Sequence, residues 1–417
     1  MNQADNKESF YAFGLFLVWP FLAAVSALRN YKKSWAKNTF WAFCAFYGFT
    51  FAIGTESESS DIVRYVGRVE YMHGLNMGFA DMMQYFSESV QIDMLHIIIG
   101  LVLSPFTGSQ PIVTMAYGTV FGFFFSRNMW YVLERLEGKL LPVTLILLTC
   151  FFLENPIWKL NGFRMWTATH IFLYGLLPYL CEGKKNGVWI AACSILVHFS
   201  FIVPFSVLVM YMVAGNRLTL YYSFFIATFF ISEIDIGTFN QLAETYLPDV
   251  FQEKSESYRR ESQVEGFREA ESTNQWYAIW YRPALHWVLM GFLSVLFFKG
   301  REFFDSNKAW LNLFCFVLLF YGVANLFSSI PSGGRYMVLA GLSAMALITL
   351  YLQNQPRDKM MQWYIYAASP ALFLYIVVSL RIGLYSTSAT TLLGNPIIAF
   401  FTAGDNISLN DVMRMIL

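Results

Sequence analysis

The sequence predicts an all-α integral membrane protein that crosses the bilayer many times. Of its 417 residues, 56% are hydrophobic and only 13% are charged, which is about half the charged fraction of a soluble domain. Several apolar stretches approach the roughly 20 residues that an α-helix needs to cross a bilayer. We therefore expect one polytopic transmembrane domain over residues 1–417, with about ten full transmembrane helices and two re-entrant or partial ones.

Uninterrupted apolar runs predict the ten full spans. In chain order they are 10–28, 39–54, 113–125, 140–153, 163–180, 218–234, 278–298, 311–326, 336–352 and 363–380. Two further runs are ambiguous, because 95–105 is too short for a crossing and 188–213 is too long for an upright one. The second of these contains Pro204, which suggests a break and a turn near His198.

Basic residues indicate which loops face the cytoplasm, because cytoplasmic loops carry an excess of lysine and arginine. All the basic clusters lie on one side only if 95–105 and 188–213 each enter and leave the membrane on the same side. Such backbone is tolerated where protein or water covers it. This arrangement places both termini outside. The clusters are Arg29/Lys32/Lys33/Lys37, Arg127/Arg135/Lys139, Lys184/Lys185, Lys299/Arg301/Lys308 and Arg357/Lys359.

Three segments then face outward. They are a polar stretch with short helices at 55–91, a large loop of mixed charge at 235–275, and a C-terminal segment at 381–417 whose apolar part suits the membrane interface. The sequence contains no phosphate-binding glycine loop, no dinucleotide fingerprint and no outer Asp-x-Asp pair, so we expect neither a cofactor nor a metal. A net charge of zero argues against a nucleic-acid partner.

Arg164 and His198 are polar residues inside apolar sequence, which makes both candidates for function. A guanidinium in hydrocarbon costs roughly 3 kcal/mol on insertion scales, so Arg164 is expected beside a cavity or a partner. Alternatively, its long side chain reaches the headgroups from the end of its span. His198 could be a base or an orienting donor in a water-lined turn. It could equally be a hydrogen-bonded structural residue.

Other candidates lie on the same outer side. Arg335 follows two glycines, which would allow close approach to a phosphate, although snorkelling is again the alternative. Arg282 has aromatic neighbours and is either an anion ligand or a residue of the interfacial belt. Asp61, Arg64 and Tyr65 share one helix face at i, i+3 and i+4, a pattern that a solvated helix with an internal ion pair also shows.

Taken together, these residues resemble the EpsG/Wzy-like family of bacterial polysaccharide polymerases. The resemblance covers most of the chain and depends on the order and spacing of short motifs. One departure is Met165, where members often have a glutamine after the arginine. The matching motifs are Asp61-Ile-Val-Arg-Tyr65, Asn161-Gly-Phe-Arg164, the Lys184-Lys185 turn, His198-Phe-Ser200, Arg335-Tyr336 and Asn395-Pro396.

The resemblance implies a glycosyltransferase of GT-C-like architecture in the bacterial cytoplasmic (inner) membrane. Such enzymes transfer a growing glycan from undecaprenyl pyrophosphate onto a lipid-linked repeat unit, on the side that faces the periplasm or the outside. The product is a capsule, an exopolysaccharide or an O-antigen. The implied partners are undecaprenyl-pyrophosphate-linked oligosaccharides and the bilayer, with a chain-length regulator and a flippase as further partners.

The same resemblance suggests a role for each candidate. Arg164 and Arg335 would bind the lipid pyrophosphate, with Arg282 as a further ligand. His198 or Asp61 would act as the base or orient the acceptor sugar. Supporting positions in the matched motifs are Arg64, Tyr65 and Asn161.

Two other classes of protein remain open. A flippase or transporter of lipid-linked oligosaccharide would explain polar residues in spans, and it predicts paired discontinuous helices in matching halves. A membrane O-acyltransferase would use His198 as its catalytic residue above a channel that reaches a cytosolic acyl donor. The sequence shows no convincing internal repeat, so the inverted-repeat transporter lacks its usual signal.

Overall fold

The computed structural model describes residues 3–53, 61–75, 93–230, 275–328, 333–355, 357–404 and 406–416, with positions 80, 81, 84 and 87. The predicted loop 235–275 lies outside this part of the chain except for Gln275, and so does much of 55–91. Within the described ranges the chain is helical, and the pairing of Ser388 with Ser408 is an isolated β-bridge.

Nineteen α-helices are described, numbered here in chain order. The first ten are α1 (Gln3–Val18), α2 (Pro20–Arg29), α3 (Ala36–Phe49), α4 (Asp61–Gly74), α5 (Leu95–Leu103), α6 (Gln110–Leu133), α7 (Pro142–Glu154), α8 (Phe163–Glu182), α9 (Asn186–Val197) and α10 (Ile202–Ala214). The others are α11 (Leu218–Phe230), α12 (Trp276–Lys299), α13 (Arg301–Ser306), α14 (Lys308–Phe327), α15 (Gly334–Asn354), α16 (Lys359–Gly383), α17 (Ala389–Leu393), α18 (Pro396–Phe401) and α19 (Leu409–Ile416). Two 3-10 helices, Ile157–Gly162 and Phe199–Phe201, precede α8 and α10.

Five helical stretches are long and apolar enough to cross a membrane. They are Pro142–Glu182, Trp276–Lys299, Lys308–Phe327, Gly334–Asn354 and Lys359–Gly383. Shorter apolar helices include Asn186–Val197 and Leu218–Phe230. The predicted all-α membrane class is therefore confirmed, while the count of ten full crossings stays a prediction.

Polar contacts between loops define one end of the helix bundle, here called the basic end. Lys37 at the start of α3 pairs with Glu134 after α6 at 3.4 Å. Arg135 pairs with Glu182 at the end of α8, and the Asn354 amide at the end of α15 donates to the Arg135 carbonyl at 3.0 Å. The predicted cytoplasmic clusters around 29–37, 127–139 and 184–185 therefore share one end of the molecule.

The run 188–213 enters and leaves at this basic end, as predicted. It begins beside the Lys184-Lys185 turn and ends near Asn216, whose amide donates to Asn312 Oδ1 at 2.8 Å. Asn312 in turn donates to the Leu180 carbonyl near the end of α8 at 3.2 Å. The chain therefore folds back on itself between α9 and α10.

The break within this run lies at His198, with φ −151° and ψ 117°, and Pro204 does not cause it. Pro204 is the third residue of α10. The first four N–H groups of a helix have no partner within the helix, so a proline in this first turn removes no intrahelical hydrogen bond.

The run 95–105 also has both ends on one side, away from the basic end. Its helix α5 has nine residues and is only about 14 Å long. Asp93 before α5 pairs with Arg164 at the start of α8, while the Ser104 carbonyl after α5 contacts His73 Nδ1 in α4 at 2.7 Å. This short helix therefore does not cross the bundle.

The predicted single span 10–28 is wrong, because it is a hairpin of α1 and α2. Glu8 Oε1 accepts a hydrogen bond from Lys33 Nζ at 2.8 Å, across a sequence separation of 25, which would be about 37 Å in one straight helix. The reversal lies at Trp19, whose φ of −152° follows from the proline after it. Trp19 Nε1 donates to the Leu392 carbonyl at the other end of the bundle, at 2.5 Å. The first described residues therefore lie at the basic end, and the prediction that both termini lie opposite it is wrong for the N-terminus.

Close backbone contact holds the helix pair that carries Arg164 and His198. A Cβ on Gly175 in α8 would lie 2.3 Å from the carbonyl oxygen of Gly187 in α9. Only glycine permits this approach, so α8 and α9 pack with their backbones in contact.

Candidate active site

The connection between α7 and α8 positions Arg164. Helix α7 ends at Glu154, since the following Asn155-Pro156 cannot continue it. The Asn155 side-chain amide donates to the Trp166 carbonyl at 2.9 Å, and buried His170 contacts the Asn155 carbonyl through Nε2 at 2.9 Å. These contacts fix the 3-10 helix and place Arg164 in the first turn of α8.

The Arg164 guanidinium has three partners from two other segments. Its Nε donates to the Tyr65 hydroxyl at 2.5 Å, and its Nη1 donates to Asp93 Oδ2 at 2.7 Å. Its Nη2 lies 3.8 Å from Asp61 Oδ2, within ion-pair range but beyond hydrogen-bond length. The side chain is 23% exposed, so the guanidinium is held in place while part of the side chain stays accessible.

Helix α4 supplies most of the remaining polar groups through one face. Asp61 pairs with Arg64 at i+3, as the spacing predicts. Arg68 Nη1 lies 3.2 Å from His96 Nε2, and the His96 ring lies 4.9 Å from the Tyr65 ring. Burial raises the pKa of the Tyr65 phenol, so this group stays protonated. We call Asp61, Tyr65, Asp93 and Arg164 the carboxylate–arginine cluster.

Asp93 joins this cluster to the break at His198. Its Oδ1 accepts the backbone N–H of Phe199 at 2.8 Å, while its Oδ2 accepts from Arg164. His198 Nδ1 accepts the backbone N–H of Ser200 at 3.3 Å and contacts the Ser200 hydroxyl at 2.8 Å. One buried carboxylate, 2% exposed, thus fixes α8 and the α9–α10 break relative to each other.

The start of α15 lies beside the same break. Tyr336 donates its hydroxyl proton to the Ser200 carbonyl at 3.1 Å, so the first turn of α15, which also carries Arg335, packs beside the break. Asn161 is the last residue but one of the 3-10 helix before α8, and its Oδ1 is buried with no hydrogen-bond partner among the residues that the structure describes.

Arg282 lies elsewhere, in a second group of charged side chains. Its Nε donates to the Tyr281 hydroxyl at 2.9 Å, and it interacts electrostatically with Glu154 and Tyr375. The structure therefore brings Asp61, Arg64, Tyr65 and Arg164 into contact and joins the His198 break to them through Asp93. The turn that carries Arg335 lies beside that break, whereas Arg282 contacts Tyr281 in a different group.

Sequence reasoning missed Asp93, Arg68 and His96. Asp93 had a usable signal, because it is a lone acidic residue two positions before an apolar run that does not cross the bundle. Within the described part of the chain, no group of three or more histidine, cysteine, aspartate or glutamate side chains could hold a metal ion. The cluster offers two groups for chemistry. The fixed guanidinium of Arg164 can bind an anion, and the partly exposed carboxylate of Asp61 can accept a proton.

The chain matches a known protein family over most of its length. A model described as the EpsG family matches residues 38–388, which is most of the chain. No curated protein and no solved structure matches the chain significantly.

Proposed function

Because the chain belongs to the EpsG family, we propose that it is a polysaccharide polymerase. It transfers a growing glycan from undecaprenyl pyrophosphate onto a lipid-linked repeat unit at the outer face of the bacterial cytoplasmic membrane. The observation that carries this proposal is the convergence of Asp61, Tyr65 and Arg164, with the His198 break joined to them through Asp93. The proposal includes about nine full crossings, which are the predicted spans other than 10–28, in a GT-C-like architecture.

The positive-inside rule supports the orientation in this proposal. The basic end, with its lysines and arginines, faces the cytoplasm. The carboxylate–arginine cluster lies at the opposite end of α8 from Glu182 and therefore faces outward. Lipid-linked repeat units reach this side after translocation, and the short helix α5 and the α9–α10 break provide non-crossing backbone around the site.

Arg164 binds the pyrophosphate leaving group of the donor. Tyr65 and Asp93 already fix the guanidinium, so its Nη2 meets the developing negative charge without reorganisation, which is the basis of electrostatic catalysis. Arg335 adds a second cation from the first turn of α15.

Asp61 is the base, and His198 orients the acceptor. A neutral imidazole that accepts at Nδ1 carries its proton on Nε2. Because His198 Nδ1 accepts the Ser200 N–H, its Nε2 is a donor and serves to orient a sugar hydroxyl. The Asp61 side chain is 32% exposed and has free lone pairs beside its arginine partners.

The reaction follows from these roles. The acceptor hydroxyl oxygen attacks the anomeric carbon of the donor, and its proton passes to Asp61. The bond between the anomeric carbon and the phosphate oxygen breaks, and its electron pair stays on the pyrophosphate. Arg164 and Arg335 stabilise that charge, and a general base of this kind contributes typically 10²–10⁴-fold.

A polymerisation assay with purified protein and lipid-linked repeat units tests this function. We expect Arg164→Ala and Arg335→Ala to stop chain growth, while Arg301→Ala at the basic end leaves it unchanged. Growth at the wild-type rate in either variant, at normal protein levels, contradicts the assignment.

Deletion of the gene separates the alternative classes. Single repeat units left on the carrier at the outer face indicate a polymerase. Loss of all outer product indicates a flippase. Full-length chains that lack acetyl groups indicate an O-acyltransferase.

A further inference from the structure

A second concentration of positive charge lies on the other side of the 3-10 helix from Arg164. Lys159 is on this 3-10 helix, and its Nζ donates to the Glu154 carbonyl at 2.5 Å. The ammonium also lies 4.1 Å from the centroid of the Trp166 ring. Lys159 and Arg164 are thus five positions apart and turned toward different helices, α7 for Lys159 and α4 for Arg164.

Arg282 on α12 is the second cation of this group. Its Nε donates to the Tyr281 hydroxyl at 2.9 Å, and the Tyr281 ring stacks on the Tyr375 ring with centroids 5.9 Å apart. Tyr375 donates to the carboxylate of Glu154. Glu154, Lys159 and Arg282 interact electrostatically with one another. We call these three residues with Tyr375 the lysine–arginine cluster.

The charges of this cluster do not cancel. Two cations face one carboxylate, and across the described ranges neither Lys159 nor Arg282 has a carboxylate within ion-pair distance. The single acid, Glu154, already accepts a hydrogen bond from Tyr375. Lys159 is half-buried beside the Trp166 ring, where a cation is costly unless an anion pairs with it. Arg282 is exposed, so an anionic group can reach its guanidinium. The cluster therefore has the charge and the donors to take an anionic group.

We propose that the lysine–arginine cluster binds the pyrophosphate of a second lipid-linked substrate, the acceptor, while Arg164 holds that of the donor. This inference rests on the proposed function, because a reaction that joins two lipid-linked sugars must hold two pyrophosphates at once. The 3-10 helix between α7 and α8 then separates the two headgroups, with Lys159 of the 3-10 helix at one and Arg164 of the first turn of α8 at the other. Arg282 suits this role because its two terminal nitrogens are not engaged by any described residue, and a guanidinium fork matches phosphate oxygens.

The binding of geranylgeranyl pyrophosphate to the purified full-length chain in detergent tests the proposal. Native mass spectrometry counts the bound molecules, and titration calorimetry gives the dissociation constants. We expect two molecules per wild-type chain. Lys159→Met and Arg282→Gln should each weaken one site about tenfold or more while sparing the other, and Arg164→Gln should do the reverse.

Two further variants separate binding from stability. Glu154→Gln removes the negative charge but keeps an amide oxygen for the Tyr375 hydroxyl, so we expect tighter binding at the second site. A merely structural ion group would instead show lower thermal stability and unchanged affinity. Lys308→Gln at the basic end is the matched control and should change neither site.

The outcomes distinguish this inference from the proposed function. A single bound molecule in the wild type, or unchanged binding in Lys159→Met and Arg282→Gln, overturns the second site even if the enzyme polymerises repeat units. Two bound molecules with the expected losses, but no chain growth from lipid-linked repeat units, overturn the polymerase function and leave the second site standing. Competition by inorganic pyrophosphate at both sites would show that phosphate, rather than the prenyl chain, is recognised.

Discussion

Asp93 is the residue that makes one site from separate segments. Its two carboxylate oxygens contact Arg164 and the Phe199 N–H, across sequence separations of 71 and 106 residues. A carboxylate buried to this extent needs such partners, because an unpaired buried charge is strongly unfavourable. No periodicity in the sequence connects these positions, so their contact could not be predicted, although Arg164 could be recognised from its own apolar surroundings.

Replacing Asp93 with asparagine tests the contribution of its negative charge to catalysis. Asparagine keeps an oxygen for the Phe199 N–H, so the break at His198 should persist, but Arg164 loses the closer of its two ionic partners and keeps Asp61 at 3.8 Å. Hydrogen bonds to charged groups are worth about 1.5–3 kcal/mol, and we expect polymerisation to fall about 10- to 100-fold. The assay on lipid-linked repeat units measures this. Glu70→Gln, on the exposed side of α4, is the control. An unchanged rate in Asp93→Asn would show that the ion pair does not position Arg164.

Tyr65 is expected to act as a neutral phenol. Burial raises the pKa of its hydroxyl, and a raised phenol pKa keeps the group protonated until the solution is strongly alkaline. Tyr65→Phe removes the acceptor of the Arg164 Nε hydrogen bond, so we expect a several-fold slower reaction with an unchanged pH profile between about pH 6 and pH 9. Loss of one limb of the profile in this variant would show that Tyr65 titrates during catalysis.

At the scale of elements, the prolines illustrate what the sequence could and could not predict. Pro20 and Pro204 both lie in the first turn of a helix, α2 and α10 respectively. Both could therefore have been interpreted as helix starts, which would have located the reversals at Trp19 and His198. Pro178, however, lies inside α8. Proline alone does not distinguish a helix start from a tolerated position inside a helix. The tertiary contacts around the proline decide which of the two it occupies.

The close packing of α8 against α9 can be tested at its glycines. A Cβ on Gly175 would lie 2.3 Å from the Gly187 carbonyl oxygen and 2.5 Å from the Ala191 nitrogen. Backbone cannot yield as a flexible side chain does, so Gly175→Ala should force the two helices apart and displace Arg164 relative to His198. We expect lower thermal stability and little polymerisation.

A matched glycine controls for the effect of the methyl group itself. Gly67 in α4 has no atom within 4 Å of an added Cβ, so Gly67→Ala should be neutral or stabilise its helix by up to about 1 kcal/mol. Equal stability of the Gly175→Ala and Gly67→Ala proteins would mean that the backbone contact does not hold the pair together.

For the whole molecule, composition and charge predicted the helical membrane class, and the structure bears out the two non-crossing runs. Those predictions depend on averages over many residues, which single contacts cannot reverse. The prediction of a single first span was wrong because one dipeptide, Trp19-Pro20, converts a stretch of adequate length and hydropathy into a hairpin. Asp93 and Lys159 were missed for a related reason, since the role of each depends on its contacts with residues of other segments.

The hairpin of α1 and α2 leads to a prediction about the termini. Glu8 lies beside Lys33 at the basic end, whereas the C-terminal residues lie at the opposite end, where Leu409 donates to the Thr387 carbonyl at 2.8 Å and Ser388 donates to the Thr50 carbonyl at 2.8 Å. An odd number of passes therefore separates the two termini.

We expect an epitope tag before Met1 to be cytoplasmic and one after Leu417 to be outside. Intact spheroplasts should bind a membrane-impermeant antibody only at the C-terminal tag, and permeabilisation should expose the N-terminal tag, with a tagged cytoplasmic enzyme as the integrity control. Antibody binding at both tags in intact spheroplasts would mean that 10–28 crosses as a single span, and the contact between Glu8 and Lys33 could not then exist in the membrane.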